Sequence, residues 1–242
     1  MQRIFFMLSL LLAATACSAP PREDRVATAR TEKDSVLRAM FKAKKISYPP
    51  SSLFFRVFKS EGDFEVWVRP KAQGSYHLLK TYKICAQSGE PGPKRQEGDL
   101  QVPEGFYIVN DFNPQSQFYL SMGINYPNAS DRVLGVKGKL GSAIYIHGDC
   151  VTLGCMPLTD DAIKEVYWLA WQVHQKEQAK IPVHIFPARL DAKKFAALKK
   201  TFSSNPPLVS FWENLKEGYD MFETASQLFT VSVDKSGKYL FE

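Results

Sequence analysis

The chain has 242 residues, enough to bury one substantial hydrophobic core. Its composition, 45% hydrophobic and 23% charged, excludes collagenous, low-complexity and disordered proteins. The formal net charge of +6 is mild, and no Arg/Lys stripe interleaved with aromatic residues indicates a nucleic-acid partner.

The first residues are typical of an exported protein. Arg3 precedes an apolar run over residues 4–12 that is too short to span a bilayer, and small residues follow it. Residues 1–16 are therefore predicted to be a secretory signal peptide. The stretch "AATAC" also resembles a bacterial lipoprotein box, which leaves lipidation of Cys17 open as the only membrane attachment. We predict the periplasm or cell envelope of a Gram-negative bacterium.

Residues 17–50 are predicted to be an N-terminal arm and linker without a core of its own. A short helix within this segment has apolar side chains on one face, at Val36, Leu37, Met40 and Phe41.

Residues 51–190 are predicted to form the main domain, because strand periodicity begins there. Six strands are predicted in "LFFRVF", "FEVWVR", "SYHLLKTYKIC", "GFYIVN", "QFYLSMGI" and "SAIYIHG". Gly62 and Asp63 suit a hairpin turn between the first two strands. The Gly/Pro-rich stretch "AQSGEPGPKRQEGDLQVPEGF" predicts a long loop, and long loops inside compact domains are often functional.

A long helix is predicted after Thr159, a suitable N-cap residue. Its apolar residues recur with helical spacing at Ile163, Val166, Tyr167, Ala170 and Trp171. "VHIFP" predicts a further strand. Residues 191–242 are predicted to be a helical C-terminal extension that ends in a hairpin around residues 235–237. The predicted fold class is α+β, with a mainly antiparallel β core, one long helix and a helical C-terminal attachment.

The residues with the most chemistry lie in "IHGDCVTLGC", residues 146–155. His147, Cys150 and Cys155 have the spacing H-x2-C-x4-C, which suggests a metal site but lacks a matching second half. A disulfide between Cys150 and Cys155 would close a short loop, whereas one between Cys85 and Cys150 would leave Cys155 free. In a third interpretation, the His147 imidazole takes the thiol proton and creates a nucleophilic thiolate.

Export to an oxidising compartment affects the choice between paired and free cysteines. Without Cys17 three cysteines remain, an odd number in an oxidising compartment, so one unpaired thiol is expected. Gly148 and Gly154 allow the backbone to approach closely, so amides near Cys155 are candidates to hold an oxyanion.

"IHGDCVTLGC" resembles the signature of the L,D-transpeptidase catalytic (YkuD-like) domain, in which a strand ends in His-Gly and a loop leads to Ser/Thr-x-Gly-Cys. The resemblance continues through "YKICAQSGEPGPKRQEGDLQVPEGFYIV", "INYPNASDR" and "FWENLKEGYDMFE". These longer stretches are similar to the YafK-type branch of murein L,D-transpeptidase-like proteins. The resemblance covers about residues 50–225.

The resemblance implies a role for each residue of the cluster. Cys155 is the implied nucleophile, which forms a thioester, and His147 is the implied proton acceptor and donor. The Gly148 carbonyl would orient the imidazole, and the Gly154 amide, with that of Cys155, would line an oxyanion hole. The implied substrate is the diaminopimelate stem peptide of peptidoglycan, without a cofactor or metal.

The sequence departs from the common family pattern near the nucleophile. Leu153 stands where a His is usual, the loop between His147 and Cys155 is short, and the usual Arg or Asn after the Cys is absent. Other candidates to bind a substrate carboxylate are Arg132, Lys94 and Arg95.

These departures leave the acyl acceptor open. The branch resemblance favours hydrolysis, such as cutting the diaminopimelate–lysine amide that anchors a lipoprotein. The alternatives are a crosslinking L,D-transpeptidase and a non-catalytic module that binds peptidoglycan.

Overall fold

The computed structural model describes residues 23–176 and 180–242. The predicted signal peptide (residues 1–16) and Cys17 lie outside the described residues. The described helices are α1 (Arg25–Ala43), α2 (Ala129–Leu134), α3 (Asp160–Lys176), α4 (Ala192–Thr201) and α5 (Pro206–Ala225). The strands are β1 (Ser52–Phe58), β2 (Asp63–Arg69), β3 (His77–Lys83), β4 (Gly105–Ser116), β5 (Tyr119–Ile124), β6 (Ile144–His147), β7 (Met156–Pro157), β8 (Ile181–Phe186), β9 (Val231–Val233) and β10 (Tyr239–Phe241).

Eight strands form one sheet in the order β3-β2-β1-β8-β4-β5-β6-β7, and β9 pairs with β10 separately. Two of the pairings, β1 with β8 and β6 with β7, are parallel, and the other pairings are antiparallel. This architecture confirms the predicted α+β fold class. The predicted C-terminal hairpin is also present.

The sheet is covered on both faces, which explains why β1 is mostly apolar and is buried along its whole length, Arg56 included. Alternate residues of β8 point to opposite sides, so Val183 and Ile185 join one core and Phe186 joins another. The first core lies under α1 and α3. The second core lies under α5, which contributes Trp212 and Tyr219.

Helix α1 lies within residues 17–50, the segment predicted to be an arm and linker without a core of its own. It packs against α3, and Ala29, Leu37 and Phe41 are fully buried in the main core. Its buried stripe also includes Lys33, which forms an ion pair with the Asp161 carboxylate of α3. A lysine at a buried position interrupts the apolar pattern, so the sequence revealed only the later part of this face, at Leu37 and Phe41.

Helix α2 was not predicted, because it is only six residues long. Asn128 and Asp131 form a capping box, in which each side chain accepts a hydrogen bond from the other residue's backbone N–H. Among the described residues, no helix combines the length and the apolar character needed to cross a bilayer.

His184 of β8 is a buried histidine that packs among aromatic rings. Its ring centroid lies 4.4 Å from that of Phe54 and 4.6 Å from that of Phe106, and its Nδ1 atom has no hydrogen-bond partner among the described residues. Burial, and then the positive charge of Arg56, hold the pKa of His184 well below its ordinary value.

This pKa predicts a stability that depends on pH. Below about pH 6.5 the unfolded chain binds a proton at His184 and the folded chain does not, so the free energy of unfolding falls on acidification. We expect His184→Leu to reduce this fall by up to about 1.4 kcal/mol per pH unit. Urea unfolding of both proteins at pH 7, 6 and 5 measures the difference. Parallel curves would contradict the prediction.

Candidate active site

The loop over residues 148–155 joins β6 to β7. These two strands pair in parallel, with Ile146 opposite Met156 and His147 opposite Pro157. This register places Cys155, the residue before β7, next to Tyr145, and the last residue of β6, His147, lines the same cavity as Cys155. Strand pairing thus brings together two residues that the sequence separates by eight positions.

The oxidation states of the cysteines decide between the metal, disulfide and free-thiol alternatives that the sequence left open. Cys85 and Cys150 form a disulfide with their Cα atoms 5.4 Å apart, and Cys155 is free. This confirms the longer of the two predicted disulfides and contradicts a bond between Cys150 and Cys155. It also contradicts the H-x2-C-x4-C metal interpretation, because an oxidised Cys150 provides no thiolate ligand.

His147 is held in one orientation by its own neighbours. Only 2% of the residue is exposed, its Nδ1 lies 2.5 Å from the Gly148 carbonyl oxygen, and its ring lies against Phe118 at a centroid distance of 4.9 Å. A carbonyl only accepts hydrogen bonds, so Nδ1 carries the proton and Nε2 is left to accept one. Burial lowers the pKa of His147, which keeps the imidazole neutral.

Cys155 is a partly buried thiol next to a backbone donor. The Tyr145 amide donates to Sγ at 3.4 Å. Burial raises the pKa of the Cys155 thiol, and the Tyr145 amide and the charge of Lys94 oppose the rise. The thiol is therefore protonated at neutral pH and needs a base before it can attack.

Thr152 organises the backbone around the thiol. Its Oγ1 accepts from the amides of Gly154 at 3.2 Å and Cys155 at 2.8 Å, and the hydroxyl donates to the Cys155 carbonyl at 2.8 Å. The two amides predicted to line an oxyanion hole therefore converge on one oxygen, but that oxygen is the Thr152 hydroxyl. The Gly154 amide is not free in this structure.

Gly154 itself requires glycine. Its φ is +123°, and a Cβ atom there would lie 2.9 Å from the Gln101 carbonyl oxygen. The loop next to Cys155 thus approaches the long loop between β3 and β4 too closely for any side chain.

We expect Thr152→Val to lower the free energy of unfolding by about 1–2 kcal/mol, because two amides and one carbonyl lose their partner. The matched control is Thr152→Ser, which keeps the hydroxyl and should unfold like the wild type. Urea titrations of the three proteins provide the measurement. Equal stabilities for Val and Ser would contradict the role of the hydroxyl.

Cys155 lies in the wall of two cavities. The first, which we call the polar cavity, has a volume of about 370 Å³ and is lined by Val57, Lys59, Ser60, Ile84, Ala86, Gln87, Ser88, Gly89, Glu90, Pro91, Val102 and Cys155. The second, which we call the histidine cavity, has a volume of about 490 Å³ and contains both His147 and Cys155. A substrate that reaches Sγ can therefore extend to either side of it.

Comparison with known proteins identifies the family. The model of the L,D-transpeptidase catalytic domain, YkuD, matches residues 61–173, which include His147 and Cys155. YafK of Escherichia coli (strain K12), a protein named for this family, is 39% identical over 192 residues, or 78% of this chain and 74% of its own length. The chain belongs to the L,D-transpeptidase family. This confirms the family predicted from "IHGDCVTLGC".

Solved structures are more distant. The K307A mutant of Pgp2, a helical cell shape determining protein of Campylobacter jejuni, is 20% identical, with a TM-score of 0.46 over 75% of this chain and 72% of that chain. Bd1075 of Bdellovibrio bacteriovorus is 23% identical, with a TM-score of 0.41 over 72% of this chain and 62% of that chain.

Three basic residues were predicted to bind substrate in this member of the L,D-transpeptidase family. Of these, Lys94 lines a cavity together with Cys155, and the other two do not. Lys94 lines the histidine cavity, but it is 5% exposed and its Nζ forms an ion pair with Asp99 at 2.8 Å. Its charge is therefore already compensated within the protein.

Arg95 and Arg132 lie elsewhere. The Arg95 guanidinium is 3.3 Å from Asp131 and stacks over Phe211 at 4.7 Å, so it is held in a different cavity, next to α5. Arg132 is exposed on α2 and lines neither the polar cavity nor the histidine cavity. Neither residue lines a cavity that contains Cys155.

Three features of the site were missed from the sequence. Thr152 belongs to the Ser/Thr-x-Gly-Cys pattern of the L,D-transpeptidases, so its position carried a signal that was not given a role. The amide of Tyr145 and the ring of Phe118 carried no signal, because the first contact arises when β6 pairs with β7 and the second when β5 pairs with β6.

Proposed function

We propose that this protein is an exported cysteine acyl-enzyme that hydrolyses an amide bond at the diaminopimelate carbonyl of peptidoglycan stem peptides. The observation that carries the proposal is a free thiol at Cys155 that shares a cavity with His147, in a chain of the L,D-transpeptidase family. Family membership supports the substrate class. The YafK-type resemblance supports cutting the diaminopimelate–lysine amide of an anchored lipoprotein.

Acylation begins with proton transfer from the Cys155 thiol to His147 Nε2. The sulfur attacks the carbonyl carbon, an S–C bond forms, and the C–N bond to the leaving amine breaks. His147 then gives its proton to the leaving nitrogen. The neutral imidazole and the neutral thiol of the resting site are the protonation states that this step requires.

The developing oxyanion needs backbone donors. For the Gly154 and Cys155 amides to serve, the Thr152 hydroxyl that they now contact must first be displaced. The Tyr145 amide donates to Sγ itself, so it stabilises the attacking thiolate. We assign the oxyanion to the Gly154 and Cys155 amides after Thr152 releases them.

Deacylation uses the same two residues in reverse. Water gives a proton to His147 as its oxygen attacks the thioester, the C–O bond forms, and the S–C bond breaks. The proton returns to Cys155. An amine in place of water would give transpeptidation, so hydrolysis and crosslinking differ only in the acceptor.

The disulfide supports export, because disulfides persist in oxidising compartments. We therefore keep the periplasm or cell envelope as the proposed location. Cleavage after residue 16 and lipidation of Cys17 belong to the same proposal.

The decisive experiment is mass spectrometry of defined peptidoglycan after incubation with the protein, with Cys155→Ala as the control. The substrates are tetrapeptide stems and stems that carry a lysine-terminated peptide on diaminopimelate. Release of the peptide that depends on Cys155 supports hydrolysis, and new diaminopimelate–diaminopimelate links indicate crosslinking instead. The absence of both products would exclude the acyl-enzyme and favour a binding module.

A further inference from the structure

The two cavities at Cys155 have different linings. The polar cavity contains side chains such as Lys59, Ser60, Gln87, Ser88 and Glu90. The histidine cavity has apolar side chains in its wall, namely Phe118, Ala143, Ile144, Val151 and Leu153. The two sides of the thiol therefore offer different surfaces to the two halves of a substrate.

The proposed acylation chemistry determines which half of the substrate lies in which cavity. This assignment rests on the proposed function. The proton that His147 takes from Cys155 must reach the leaving nitrogen, so that nitrogen has to lie on the His147 side. Of the two cavities, only the second is lined by His147. The leaving amine thus occupies the histidine cavity, and the acyl donor extends into the polar cavity.

Leu153 is the most exposed apolar residue at this site. It is 79% exposed and Val151 is 49% exposed, although both line the histidine cavity. The disulfide at Cys150 and the Thr152 hydrogen bonds fix the loop on either side of them. A ligand that covers these side chains removes apolar surface from water without having to order a mobile segment first.

The charge in the cavity opposes an anionic ligand. Glu97 lines the histidine cavity and makes no ion pair with the described residues, whereas Lys94 is neutralised by Asp99. A leaving group whose carboxylate lies next to its amine, as in D-alanine, places that carboxylate inside the cavity. A lysine side chain instead places four methylene groups there and carries its polar backbone out of it.

We propose that Leu153, with Val151, is a specificity-determining residue that binds the alkyl chain of the leaving amine. The site thereby favours amides of unbranched primary alkylamines, such as the lysine ε-amine, over amides of α-amino acids. Leu153 stands where the family usually has a His, and this replacement adapts the site to a lysine-linked partner.

The test compares two substrates with the same diaminopimelate stem, one with a lysine ε-amine and one with D-alanine as the leaving group. Release of each amine by the wild type, Leu153→Ser and Leu240→Ser gives kcat/KM values. Leu240 is an exposed leucine of β10, outside both cavities, and serves as the matched control. We expect Leu153→Ser to lower kcat/KM about 10-fold for the lysine amide and to leave the D-alanine amide within twofold.

The outcomes separate this inference from the proposed function. An equal loss for both substrates, or no loss for the lysine amide, would overturn the role of Leu153. If the wild type releases neither amine and matches Cys155→Ala, the proposed function itself fails. A thioester that forms equally fast from both substrates rejects the specificity and retains the acyl-enzyme.

Discussion

Replacing His147 with asparagine should lower the rate constant of Cys155 acylation by about 10²- to 10⁴-fold at pH 7. Burial raises the pKa of the thiol above its ordinary value, so little thiolate exists without a base. His147 is the titratable side chain that shares the histidine cavity with the thiol and has a free ring nitrogen. Single-turnover acylation, followed by intact-protein mass spectrometry, measures the effect.

The pH dependence of the acylation rate provides a second test of the role of His147. The reaction needs the neutral imidazole, and burial lowers the pKa of His147. The acid limb of the wild-type profile should therefore have its midpoint below the ordinary histidine value of about 6.5. In His147→Asn that limb should vanish, and the remaining rate should rise with pH as the thiol ionises.

The matched control is His77→Asn, since His77 is exposed on β3 and lines neither cavity. It should keep the wild-type rate and profile. An acid limb that survives in His147→Asn would show that another group accepts the thiol proton, and would remove His147 from the mechanism.

The second large effect is expected from the disulfide. Cys85 and Cys150 are separated by 65 positions, and a crosslink over a loop of that size contributes about 4 kcal/mol through the entropy of the unfolded chain. The Cys85→Ser/Cys150→Ser variant should lose about that much unfolding free energy. The Cys85 amide also donates to the Pro157 carbonyl at 3.1 Å, so the loop that carries Cys155 is attached at this point.

Acylation should slow in the same variant, because the loop loses its covalent attachment beside the nucleophile. Urea unfolding and single-turnover kinetics measure the two effects. Reduction of the wild type with dithiothreitol should reproduce both, and the double variant should not respond to dithiothreitol. An unchanged unfolding midpoint in the variant would contradict the contribution of the disulfide.

Much of the sheet was predictable from local pattern. The six strands predicted over residues 53–148, the strand at 183–187 and the helix after Thr159 are present, with bounds that differ by a few residues. These elements carry their own signal, either alternating or continuous apolar residues or helical spacing on one face. The Thr159 hydroxyl also accepts from the Ala162 amide, as a helix N-cap does.

Elements whose signal depends on distant residues were misread or missed. Helix α1 places Lys33 in a buried stripe because Asp161 of α3 neutralises it, and no local pattern reveals that partner. β7 has only two residues and exists because β6 runs beside it. Arg95 was predicted to bind substrate. Its partners in the fold, Asp131 and Phe211, come from α2 and α5, which are distant from it in the sequence.

The sequence by itself determined the family, the likeness of its His-Gly and Gly-Cys motif to a thiol active site, and the expectation of one unpaired cysteine. Those conclusions follow from residues close together in the chain. The tertiary structure alone decided which cysteine is free, that Thr152 holds the Gly154 amide, and that Cys155 lies between two cavities of different lining. The disulfide and the two cavities depend on contacts between segments far apart in sequence, and the Thr152 contact depends on the conformation that the folded chain imposes on the loop between β6 and β7.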